Sequence, residues 1–176
     1  MFKKIWRIIF FVLLLSGLAG IQLSLIFTLP DFFRQINLIL IALIFTLFFF
    51  GFRAAVWAAI IGGFWLDLFS FSFFGLYLIT LFLTALLTEK IANTWLTNRS
   101  LYSFLLLILT ATVGYNIIFG VLFYFSNNQA VFFLTQSNFW QALAYQGVWS
   151  LAAGLLMFNL AGAATRWLKP VFLKKS

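Results

Sequence analysis

Long apolar runs alternate with short polar breaks along the whole chain. The runs cover residues 5–29, 35–51, 54–71, 73–92, 101–125 and 139–166. A helix rises about 1.5 Å per residue, so the roughly 30 Å hydrocarbon core of a bilayer needs about 20 helical residues. The pattern therefore predicts an all-α integral membrane protein. Its six transmembrane helices form one bundle, a single transmembrane domain over residues 1–176.

The composition supports lipid as the solvent of most of the chain. Hydrophobic residues make up 65% of the sequence and charged residues only 8%. A soluble domain carries roughly a quarter of its residues as charged side chains, which cover its surface. Too few charges remain here to cover a large soluble core.

The positive charges predict an orientation. With six spans, ten of the eleven Lys and Arg residues fall on the side of the two chain ends, and Arg34 alone falls on the other. Positively charged loops stay in the cytoplasm. We therefore expect a multi-pass membrane protein with both termini in the cytoplasm.

The sequence offers little material for catalysis. It has no Cys and no His, and its three acidic residues, Asp31, Asp67 and Glu89, are scattered. Thiol chemistry, His-ligated metals and carboxylate dyads are therefore not expected, and we predict no enzyme activity and no cofactor. The net charge of +8 sits beside span ends rather than along a soluble face, which favours contact with anionic membrane lipids over nucleic acid.

The third span contains the most informative pattern. Ala55, Ala59 and Gly63 recur every four residues, and Asp67 continues the series. Residues four apart share a helix face, and small side chains let helices approach closely in lipid. We therefore expect this span to be the tightly packed centre of the bundle.

Asp67 is the acidic residue expected inside a span, where a carboxylate needs water or hydrogen-bond donors. Candidate donors are Tyr77, Asn116 and the hydroxyls of Ser70 and Ser72. Two readings stay open: Asp67 contacts a partner or ligand, or it stabilises the turn that follows. We expect the other polar residues within spans to bridge helices; they are Gln22, Tyr115, Asn116, Gln141, Gln146 and Asn159.

The stretch Gly63-x3-Asp67-Leu68-x-Ser70-x4-Gly75-Leu76-Tyr77 resembles the rod-shape-determining membrane proteins of the MreD family. Chain length, the basic ends and Pro30-Asp31 before the second span fit the same family. Two features depart from its pattern: residues 32–37 separate Pro30-Asp31 from the apolar helix, and Ala59 stands where members often carry glycine.

The resemblance implies a non-catalytic subunit of the bacterial cell-elongation complex, which regulates cell shape. Implied partners are the periplasmic scaffold MreC and, through it, MreB filaments and peptidoglycan synthases. It also implies a fold similar to the substrate-binding subunits of energy-coupling-factor transporters. Gly63, Asp67, Gly75, Tyr77 and Asn116 are the candidate structural or partner-contact residues.

Two other functions remain open. A vitamin-binding transporter subunit would share the size and the six spans, although the predicted outer loops offer few charged groups to hold a polar vitamin. A lipid-headgroup transferase would need clustered carboxylates for metal and phosphate, which this sequence does not provide.

Overall fold

The computed structural model describes residues 12–22, 24, 37–70, 73–95, 101–126 and 137–172, with side chains in the last range described for 140–159. Six helices lie within these residues: α1 Val12–Gln22, α2 Leu38–Phe50, α3 Phe52–Phe69, α4 Leu76–Trp95, α5 Leu101–Ser126 and α6 Ser137–Phe172.

The all-helical prediction is confirmed. Within the described residues, α3, α4 and α5 are long and apolar enough to cross a membrane. The remainder of the predicted 5–29 span, beyond α1 and residue 24, lies outside the described residues, as do Asp31 and Arg34.

The last helix extends beyond the predicted span. The span 139–166 lies within α6, which runs from Ser137 to Phe172 and includes Pro170. A proline at this position has no amide hydrogen to donate to the carbonyl four residues earlier, so the last turn of α6 lacks one helical hydrogen bond.

The centre of the bundle is α2 rather than α3. Among the described helices, α2 packs against α3, α4, α5 and α6, whereas α3 packs mainly against α2 and α4. The sequence of α2 is apolar on all sides, and nine of its thirteen residues are buried. By contrast α3 has one small-residue face and one face of exposed large side chains, including Trp57 and Phe64. A helix that is apolar all round belongs in the interior.

Close helix pairs run antiparallel because very short connections join them. Gly51 alone links α2 to α3, in a conformation with φ of 86° that favours glycine. Residues 70–75 link α3 to α4. Between α5 and α6, contacts near Asn116–Gln146 and Ile108–Gly154 show the same antiparallel order.

The two ends of the bundle differ in chemistry. Near the end of α2 and the start of α5, Phe104 is fully buried among other phenylalanine rings, with the Phe48 ring centroid 5.2 Å away and that of Phe158 5.7 Å away. At the start of α2 and of α4, polar side chains are buried instead. The candidate site lies at this second end.

Candidate functional site

Gly63 brings α4 into direct contact with α3. A Cβ atom at this position would lie 2.5 Å from the Cα of Leu78 and 3.0 Å from its backbone nitrogen. Such distances are closer than packed atoms tolerate, so only glycine lets the two backbones approach this far. The small stripe predicted on α3 is confirmed as a contact face, since Ala55, Ala59 and Gly63 are all buried.

Asp67, one turn beyond Gly63, caps the start of α4. Its Oδ1 accepts a hydrogen bond of 2.9 Å from the backbone N–H of Tyr77, and its Oδ2 accepts one of 3.0 Å from the N–H of Leu78. The first amides of a helix have no partner within that helix, and the positive end of the helix dipole favours an anion. A carboxylate of α3 therefore supplies the cap that α4 lacks.

Gly75 and Tyr77 shape the turn between Asp67 and these amides. Gly75 has φ of 97°, a left-handed conformation that costs other residues energy, and its carbonyl accepts from the N–H of Ile79. The Tyr77 ring packs on Phe119 of α5, with centroids 5.2 Å apart. The turn therefore directs the first backbone amides of α4 toward Asp67. The Tyr77 ring holds this turn against α5.

A second helix start is capped at the same end. The side chain of Asn37 accepts from the N–H of Leu40, and Oε1 of Gln22 in α1 accepts from the N–H of Ile39, each at 3.0 Å. The buried Tyr115 of α5 lies beside Asn37, Tyr77 and Asp67. We call Gln22, Asn37, Asp67, Tyr77 and Tyr115 the polar end.

Asn116 connects α5 to α6 rather than to Asp67. Its side-chain amide donates to Oε1 of Gln146 at 2.8 Å and to the carbonyl of Thr112 at 2.7 Å. Two turns further along α6, Gly154 is buried, and a Cβ there would collide with Ile108. Ser150, one turn before Gly154 on the same face of α6, is buried as well.

The predicted site residues therefore divide into two groups. Gly63, Asp67, Gly75 and Tyr77 meet in one junction, which we call the α3–α4 lock, and Asn116 belongs to the separate α5–α6 contact. The expected donors were partly wrong: the acceptor bonds described for Asp67 come from backbone amides, not from the side chains of Tyr77 or Asn116. Ser70 donates to the backbone carbonyl of Asp67, and Ser72 lies outside the described residues.

Sequence reasoning missed Asn37. A signal for Asn37 was present, because asparagine immediately before an apolar run is a preferred N-cap. Tyr115 was expected to bridge helices, but its partners could not be predicted, since they depend on which helices pack beside α5.

The geometry of Asp67 defines what it can do. The residue is 3% exposed, and each carboxylate oxygen accepts a backbone amide. Of the two readings of Asp67, this arrangement favours the structural one: the side chain holds two helices in a fixed relation.

Comparisons of this chain with protein family models, with curated proteins and with solved structures find no match.

Proposed function

We propose that the chain is a multi-pass protein of the bacterial cytoplasmic membrane, with six spans and both termini in the cytoplasm. The proposal combines the apolar helices of spanning length with the distribution of basic residues. On this topology α2 and α4 start near the outer surface, so the polar end faces outward. The proposed bundle is similar to that of energy-coupling-factor substrate-binding subunits.

Within that membrane, we propose that the protein is a non-catalytic subunit of the cell-elongation complex. It would bind an MreC-like periplasmic scaffold and, through it, connect to MreB and the peptidoglycan synthases. The observation that carries the proposal is the α3–α4 lock. The residues of the MreD-like motif are scattered over fifteen positions, yet Gly63, Asp67 and Gly75 serve one junction.

The proposed mechanism is helix docking without turnover. Asp67 is too buried to touch a partner directly, so its contribution to assembly is indirect. The lock fixes the orientation of α3 relative to α4. A partner would bind the surface that the two helices form in that orientation. Loss of the lock should then weaken assembly even though no partner-contact atom has been removed.

Gentle detergent co-purification of tagged protein, followed by mass spectrometry of proteins and small molecules, tests this function. We expect the wild type to recover a single-span periplasmic scaffold and peptidoglycan synthases. Gly63→Ala and Asp67→Ala should reduce that recovery and disturb rod shape at equal protein level. Gly20→Ala is the matched control, because a Cβ at Gly20 would have no neighbour within 4 Å.

Two results would overturn the proposal. Recovery of an ATPase pair with a bound vitamin would establish the transport alternative. Unchanged scaffold recovery and cell shape in both lock variants, at normal expression, would show that the lock has no part in assembly.

A further inference from the structure

A narrow groove runs along the lipid-facing surface between α4 and α5. It has a volume of about 360 Å³ and is lined by Leu87, Leu109, Thr110, Val113, Gly114 and Ile117. The groove is deeper at Gly114 because this residue has no side chain. A Cβ there would come within 3.4 Å of the Leu87 side chain. The wall is apolar, since the Thr110 hydroxyl is engaged with the carbonyls of Leu106 and Leu107.

The length and the chemistry of the groove suit a lipid acyl chain. Its lining extends from Leu109 to Ile117, about 12 Å along α5, close to the depth of one bilayer leaflet. The groove is open along one side, where the exposed apolar side chains of Leu109, Val113 and Ile117 border it.

A cation stands at one end of this groove. Lys90 lies one turn beyond Leu87 on the same exposed face of α4 and forms no ion pair among the described residues. The adjacent Glu89 points about 100° away round the helix. Because Leu87 faces Gly114 and Tyr77 faces Phe119, the two helices are antiparallel, which places Lys90 toward the Leu109 end.

We propose that this groove and Lys90 form a binding site for an anionic phospholipid. One acyl chain fills the groove, and the headgroup phosphate pairs with the Lys90 ammonium group. The apolar wall supplies the hydrophobic contact, and the charge at its end selects the headgroup. The site lies on the opposite side of α4 from α3, so it is separate from the α3–α4 lock; it rests on the proposed membrane location but not on the proposed role in cell elongation.

Native mass spectrometry of the whole protein in mild detergent tests this site. Phosphatidylglycerol and phosphatidylcholine with identical acyl chains are titrated separately. One lysine near a membrane surface favours an anionic lipid by a factor of about five. We expect that preference in the wild type and its loss in Lys90→Gln. Arg53→Gln is the matched control: it removes one exposed positive charge on α3, outside the groove, and should keep the preference.

A second variant tests the groove itself. Thr110→Phe places a ring where the acyl chain would lie and should reduce retention of both lipids while Lys90 remains. Equal retention of the two lipids by the wild type, or equal effects of Lys90→Gln and Arg53→Gln, would overturn the proposal. So would a photoreactive group at Val113 that cross-links a protein helix in native membranes and no lipid.

Discussion

Replacing Asp67 removes the cap of α4 and should cost a measurable part of the folding free energy. In Asp67→Ala the backbone amides of Tyr77 and Leu78 lose their hydrogen-bond acceptors. The site is buried, since Asp67 in the wild type is only 3% exposed. Each buried donor left without a partner costs about 1–3 kcal/mol. Removing a desolvated charge offsets part of this loss. We therefore expect a net destabilisation of about 3 kcal/mol.

The Asp67→Asn variant distinguishes the contributions of the two hydrogen bonds to stability. Asparagine keeps one carbonyl oxygen as an acceptor and turns an NH2 group toward the other amide. One of the two bonds survives, so we expect about half the loss, near 1.5 kcal/mol. The expected order of stability is wild type, then Asn, then Ala.

Reversible unfolding by dodecyl sulfate in mixed micelles measures these differences. Trp65 stacks on Phe69 next to Asp67 with centroids 5.8 Å apart, and it provides a local fluorescence signal in a background where the other six tryptophans are replaced. Hydrogen exchange gives an independent measurement, because the Tyr77 and Leu78 amides should be protected in the wild type and exchange faster in Asp67→Ala. An Ala variant within about 1 kcal/mol of the wild type, with both amides still protected, would refute the role assigned to Asp67.

Three further experiments test other contacts, each by the same unfolding measurement. Gly63→Ala should cost about 1–3 kcal/mol because its methyl group meets the α4 backbone, whereas Gly20→Ala should be nearly neutral; equal effects would contradict the contact. Gly75→Ala should cost about 1–2 kcal/mol because φ is 97°, and no loss would mean that the turn readily adopts another conformation. A double-mutant cycle of Asn116→Ala and Gln146→Ala should give a coupling of about 0.6–1.7 kcal/mol, and zero coupling would contradict the hydrogen bond.

Periodicity in the sequence predicted the faces of α3 but not its place in the bundle. A four-residue repeat of small side chains specifies a close contact, and Gly63 makes one. Which helix occupies the centre depends on the faces of all the others. The short α2 has no polar face to mark a surface, since its one polar side chain, Thr46, is buried and donates to the carbonyl of Leu43, and α2 becomes the central helix.

The partners of Asp67 could not be predicted from side-chain types, because the donors are backbone amides that every residue carries. Their identity depends on the turn at Gly75, which sets the direction in which α4 starts. The Asn116–Gln146 pair was harder still, since thirty residues separate the two amides. Only the antiparallel register of α5 and α6 brings them together.

The α3–α4 lock also has a consequence for biosynthesis. The ribosome completes α3 and its carboxylate before it adds Tyr77 and Leu78, ten and eleven residues later. If α3 entered lipid alone, Asp67 would meet hydrocarbon without a donor, which is costly. We therefore expect the translocon to hold α3 until α4 has emerged and to release the two helices as one hairpin.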